Sequence, residues 1–179
     1  MKIALGFVFL VGLSVNSAAQ DSGSTRLLTP GISLAISAAE DPIPIGSPVK
    51  LKLSLKNNSS QNYVVFTDVP QECSYTTEVR DENGKIPPET KLGTMLNGHV
   101  AVKEWESLGL TAEEIVSRCR NQESFNFKAG DSVVQSLAVT HLYKFSTAGK
   151  YSIQVVLDQT LIPNGVFAKS NTIAVTITP

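Results

Sequence analysis

Between positions 49 and 56 apolar and polar residues alternate without a break: Val49, Leu51, Leu53 and Leu55 against Lys50, Lys52, Ser54 and Lys56. A period of two is that of a strand with one buried face and one wet face, as in an antiparallel sheet. The alternation recurs in shorter runs. Ile32, Leu34 and Ile36 alternate with Ser33, Ala35 and Ser37, and Ile173, Val175 and Ile177 alternate with Ala174 and Thr176. Tyr151, Ile153, Val155 and Leu157 mark another strand, and less regular runs lie at 63–67, 75–80, 124–128 and 133–139. Turn signals separate them: Asp81-Glu82-Asn83-Gly84, Ala129-Gly130-Asp131 and Ile162-Pro163-Asn164-Gly165. Asn57-Asn58-Ser59-Ser60 holds two overlapping glycosylation sequons and reads as a polar turn. The proline-rich stretch 41–48 ends the first strand and reads as an edge kink or a crossover, because proline removes a ladder donor. Seven or eight short strands with turns between them predict an all-β antiparallel sandwich.

Residues 85–122 break this rhythm and read as an insertion. Pro87-Pro88 blocks a central strand. Thr111 and Glu114 have the spacing of a capping box, which predicts one short helix over 111–118. The insertion carries the single Trp of the chain, Trp105, together with His99 and Cys119. Met95, Leu96, His99 and Trp105 mix apolar, aromatic and polar groups and form a candidate interaction surface, since recognition residues concentrate in loops held by a rigid scaffold. In the plainer alternative, Trp105, Leu108 and Leu110 cap the open end of the sandwich.

The N-terminus has the make-up of an export signal. Lys2 is a minimal positive region, residues 3–15 are apolar, and Ser17 and Ala19 are small residues placed for cleavage after Ala19. The apolar run is shorter than the roughly 20 residues a membrane span needs. Residues 1–19 are therefore expected to be removed, with 20–30 a disordered lead-in and 31–179 the domain. No span is expected in the mature chain, which would be periplasmic or extracellular. The formal charge is −1, and loss of Lys2 makes it one unit more negative. A mild negative charge of scattered signs argues against a phosphate-tracking nucleic-acid binder. Two cysteines in an exported chain favour a Cys73–Cys119 disulfide.

Thr147-Ala148-Gly149-Lys150-Tyr151 leads straight into an alternating strand. A tyrosine at this place in an immunoglobulin-like sandwich bonds its hydroxyl back to the preceding loop, which marks Gly149 and Tyr151 as a structural corner. With Pro44-Ile45-Gly46-Ser47-Pro48, Gly130-Asp131-Ser132, Leu142-Tyr143-Lys144-Phe145 and Ser170-Asn171-Thr172-Ile173, this region resembles bacterial exported immunoglobulin-like or fibronectin type III-like domains. The resemblance covers residues 31–80 and 124–179. It implies a fold and carries over no catalytic residue. Ile153 stands where an antibody domain has its second core cysteine, so a bridge here would instead pin the insertion to the sheet.

Chemistry is sparsely marked. There is no Gly-x-Ser-x-Gly elbow, no His-Glu-x-x-His and no Cys-x-x-Cys. His99 and His141 are the only histidines. His141 reads as a partly exposed structural residue, and Glu113-Glu114 as a complement to a helix N-terminus. No catalytic residue, metal ligand or cofactor is expected. The reading is a noncatalytic exported binding module for a protein or a cell-envelope component. A secreted proteinase inhibitor using residues 86–90 is the alternative within that class. A hydrolase with an unrecognised site is the alternative outside it.

Overall fold

The computed structural model describes residues 27–69, 71–97, 109, 111, 119, 121–159 and 164–179. Its strands are β1 (Ile32–Ala38), β2 (Ile43–Pro44), β3 (Lys50–Asn57), β4 (Tyr63–Val69), β5 (Thr76–Asp81), β6 (Asn121–Phe127), β7 (Ser132–Ala138), β8 (Gly149–Asp158), β9 (Phe167–Lys169) and β10 (Ile173–Thr178). Among the described residues one α-helix, α1 (Lys91–Asn97), lies between β5 and β6. The first sheet has the order β1-β3-β7, and the second β2-β10-β8-β5 with β9 also on β8. β4 and β6 form a separate two-stranded ribbon. The pairs are antiparallel except β2 beside β10. The architecture is the expected all-β sandwich with one short helix.

The inward sets of the alternating runs meet in one core. Leu34 and Ile36 from β1, Leu51, Leu53 and Leu55 from β3, and Leu137 from β7 line the first sheet. Val79, Ile153, Val155, Leu157, Val175 and Ile177 come from the second. Burying each such side chain contributes about 1.5–3 kcal/mol before the entropy of ordering it is counted. The proline-rich stretch is the crossover: β1 belongs to the first sheet and β2 to the second. Ile43 enters the core, while Asp41 Oδ1 accepts the Thr176 N–H at 2.8 Å and Ile45 N–H donates to Thr178 O at 2.8 Å. At the N-terminal side, Thr29 is tied to β9 through Phe167.

The Asn57 turn is more than a polar turn. Asn57 is fully buried. Its Nδ2 donates to Gln61 O at 2.8 Å and Phe127 O at 3.0 Å, and its Oδ1 accepts from the Ser59 N–H and hydroxyl. Its backbone bonds to Asp131 O and Gly130 N–H. One side chain therefore ties the β3–β4 turn to the β6–β7 turn, where the first sheet gives way to the ribbon. Two other amides cap open strand edges. Asn171 accepts from Ile36 N–H and donates to Ile36 O on β1, and Gln159 does the same for Phe66 on β4. Capped backbone groups of this kind are unavailable for edge-to-edge pairing.

The helix the sequence predicts over 111–118 lies outside the described residues apart from Thr111. α1 lies elsewhere, in a segment read as loop. Thr90 is its N-cap, with Oγ1 accepting Gly93 N–H at 3.0 Å. Leu92, Met95 and Leu96 recur at i, i+3 and i+4, so they share the face that packs on the core. Gly93 lets the helix touch the backbone at Leu142, whose carbonyl oxygen a Cβ would strike. Gly93→Ala is expected to lower stability by about 1–3 kcal/mol despite alanine's better helix propensity. Chemical denaturation of the two proteins checks this, and a stabilised variant would show that α1 does not dock here.

Candidate functional site

The site begins with the turn after β5. Asp81 Oδ1 accepts the N–H groups of Asn83 at 2.9 Å and Lys85 at 2.8 Å, and Asp81 N–H donates to Lys85 O at 2.8 Å. An aspartate bonding its own backbone two residues on is why Asp-Glu-Asn-Gly makes a tight turn. The chain then runs extended through Pro87, which is buried, and Pro88, whose carbonyl accepts Lys144 N–H at 2.8 Å. Glu89 bridges Tyr143, and Thr90 N–H donates to Leu142 O at 2.9 Å. The segment 86–90 is thus fastened along its length to 142–144.

The opposite wall is the corner loop. The Tyr151 hydroxyl donates to Thr147 O at 2.8 Å, which is the bond expected from the sequence. Phe145 meets the Tyr151 ring edge-on, with centroids 5.1 Å apart. Gly149 has φ +150°, where a side chain would be strained. Between this loop and the 81–88 segment is a cleft of about 240 Å³. Asp81, Glu82 and Lys85 line one side, Lys144 and Lys150 the other, with Tyr151 between them. The cleft offers cationic and anionic groups together, on walls braced by backbone bonds. It suits a polar ligand carrying both hydrogen-bonding and charged groups.

Beneath α1 lies a buried polar cluster. The Tyr143 hydroxyl donates to Thr77 O at 2.6 Å and accepts from Asn97 Nδ2 at 3.0 Å, and the same amide donates to Glu89 Oε1 at 2.7 Å. This cluster links α1, β5 and the bridge that closes the cleft. A carboxylate–imidazole pair lies near the start of α1. Glu72 is buried, and its Oε1 accepts from Ala138 N–H and lies 2.9 Å from His141 Nδ1. A carboxylate that orients an imidazole is a component of hydrolytic sites. The hydroxyl recorded beside it, Thr90 Oγ1, is instead bonded to the His141 carbonyl and the Gly93 N–H. Among the described residues, no group of three or more His, Cys, Asp or Glu could hold a metal ion.

Cys73 and Cys119 are joined, with their Cα atoms 5.7 Å apart. The bridge links the two ends of the excursion between β4 and β6. Of the candidate interaction residues, Met95 is 6% exposed and Leu96 is half-buried against the core. Met95 therefore supports the docking of α1 and offers no outward surface. His99 and Trp105 lie outside the described residues. Lys85, Lys144 and Lys150 form no recognisable group in the sequence, because the walls they stand on are far apart in the chain. Glu72 carries no local signal of its burial, since it lies between Gln71 and Cys73 outside any alternating run.

No protein-family model matches the chain, and no curated protein is significantly similar to it. Among solved structures it is similar to a Bacteroides uniformis beta-glucuronidase at 9% identity and a TM-score of 0.39. That alignment covers 82% of this chain and 14% of the glucuronidase, so the chain spans a small part of that protein's length. BslA, a bacterial hydrophobin, aligns at 12% identity and a TM-score of 0.36, over 86% of this chain and 99% of BslA.

The tyrosines around the cleft and core set an alkaline limit. Burial pushes the Tyr75 hydroxyl from 10.0 up to about 12. Burial, then Glu89 and Glu78, raises Tyr143, and burial, then Asp81 and Glu82, raises Tyr151. The folded chain keeps these protons at a pH where the unfolded chain releases them. The stability they confer is therefore complete below about pH 10 and lost as pH rises towards about 12. Guanidinium midpoints measured across that window are expected to fall, and less steeply for Tyr75→Phe. An equal slope in the variant would contradict the assignment.

Proposed function

We propose that this chain is an exported, noncatalytic immunoglobulin-like sandwich that binds a protein or a cell-envelope component through the cleft between 81–88 and 144–151. The observation that carries this reading is the rigidity of both walls. The first is closed by Asp81 and fastened to Lys144, and the second is fixed by the Tyr151 corner. A cleft held open in the free protein binds without first having to be ordered, and ordering is a main cost of association. The Cys73–Cys119 bond fits an oxidising compartment, as the leader-like N-terminus does. No described helix is long and apolar enough to cross a membrane. Charged groups of both signs at the cleft favour a polar partner over an apolar one.

Ala148 lines the cleft and is exposed, so a large side chain there obstructs the site without entering the core. Ala148→Trp and Lys144→Glu are each expected to weaken partner capture by at least roughly tenfold. The melting temperature should stay that of the parent. The assay compares parent and variants as immobilised mature protein against fractionated cell envelope and secreted proteins. Capture that survives both substitutions would place recognition elsewhere on the molecule.

A further inference from the structure

The outer face of the first sheet has a composition that the fold does not require. Register places its outward residues in cross-strand rows: Ser33, Lys56 and Ser132, then Ala35, Ser54 and Val134, then Ser37, Lys52 and Ser136. Apart from the half-buried Ser54, all of these are exposed, Val134 at 58%. Two of the three rows are a lysine flanked by two serines. Lys50 continues the central line. No carboxylate occupies an outward position on any of the three strands. Among the described residues, acids stand at the ends of the face: Glu40 lines a hollow with Lys50, Asp131 precedes Ser132 and accepts Lys128 N–H through Oδ2, and the buried Glu72 accepts Ala138 N–H at the end of β7.

Edge protection does not explain these lysines. Charges that guard a sheet belong on its edge strands, whereas these stand on β3, between β1 and β7. Solubility does not explain them either, since mixed signs would serve it without repulsion along one strand. The outer face of the second sheet is of that mixed kind, with Arg80 and Glu78 paired at 2.7 Å. The chain as a whole is weakly negative. A strip of one sign on a molecule of the other sign is a local attractor for a polyanion.

We infer that this face docks an extended acidic polysaccharide. Lys52 and Lys56 have Cα atoms about 14 Å apart along the strand, and strand spacing sets the flanking serines about 5 Å to either side. Each Ser-Lys-Ser row offers one carboxylate partner and two hydroxyl partners, which is the mixture of groups on a uronate sugar. Small neighbours leave the strip flat and open to a linear chain. Single-stranded nucleic acid fits less well, because its binders stack bases on aromatic side chains and these outward positions hold none. This surface is separate from the cleft, so its failure would leave the cleft reading untouched.

The test is titration of the mature protein with an oligogalacturonate of defined length at low salt. A neutral glucan of the same length and oligo(dT) serve as comparison probes. Binding is expected for the oligogalacturonate, weakening with added salt and absent for the glucan. Lys52→Ser/Lys56→Ser should weaken it by roughly tenfold, and Lys56→Ser alone should cost more than the charge-matched Lys169→Ser. Circular dichroism confirms that the exposed substitutions leave the fold intact. Three results would each overturn the inference: no binding, equal losses in Lys56→Ser and Lys169→Ser, or tighter binding of oligo(dT).

Discussion

The chain between β4 and β6 leaves a two-stranded ribbon, supplies β5 to the edge of another sheet, adds α1 and returns to the ribbon. The Cys73–Cys119 bond closes the mouth of this excursion, across a sequence separation of 46. In the chain-entropy model, closing a loop of that length removes about 4 kcal/mol of freedom from the unfolded state. The geometric consequence matters as much. β5 pairs with β8 from Thr76↔Val156 to Asp81↔Tyr151, so the end of that pairing puts the 81–84 turn opposite the tyrosine corner. One cleft wall is part of the excursion, and the other is part of the sandwich proper.

Polar side chains do structural work that a hydrophobic core cannot. Asn57 joins two turns from a fully buried position, and every one of its amide atoms has a partner. An unmet buried group of this kind costs about 1–3 kcal/mol, so a partly satisfied asparagine there would be a liability. Asn171 and Gln159 use the same chemistry at strand edges, each taking both backbone groups of one residue. Tyr143 carries it inward, tying β5 to α1 beneath the cleft. These bonds fix where the elements sit, while the apolar faces only require that they sit together.

What could be read from the sequence was local. The 49–56 alternation became β3, and the Gly149-Lys150-Tyr151 corner formed because donor and acceptor are four residues apart. The Asp81 turn was visible for the same reason. The Cys73–Cys119 pairing was expected from there being two cysteines in a chain with a leader-like N-terminus. What stayed hidden depended on distant partners. α1 contains Gly93, which weakens a helical reading, and its benefit depends on Leu142, nearly 50 residues away. Asn97, Gly98 and His99 give the stretch after Met95 a loop-like composition that masks its helical spacing with Leu92. Asn57 looked solvated among its polar neighbours. The cleft could not be seen at all, since no local pattern says that Pro88 meets Lys144.

The disulfide supports one cleft wall and adjoins β7 through Glu72 at Ala138, while β1 and β3 lie beyond β7 in that sheet. Amide hydrogen exchange on the oxidised protein and on Cys73→Ser/Cys119→Ser measures this segment by segment. The expected result is faster exchange, by roughly tenfold or more, in β5, the 81–88 segment and α1, with β1 and β3 protected as before. Equal protection of β5 and α1 in both proteins, or a uniform loss across all strands, would contradict it.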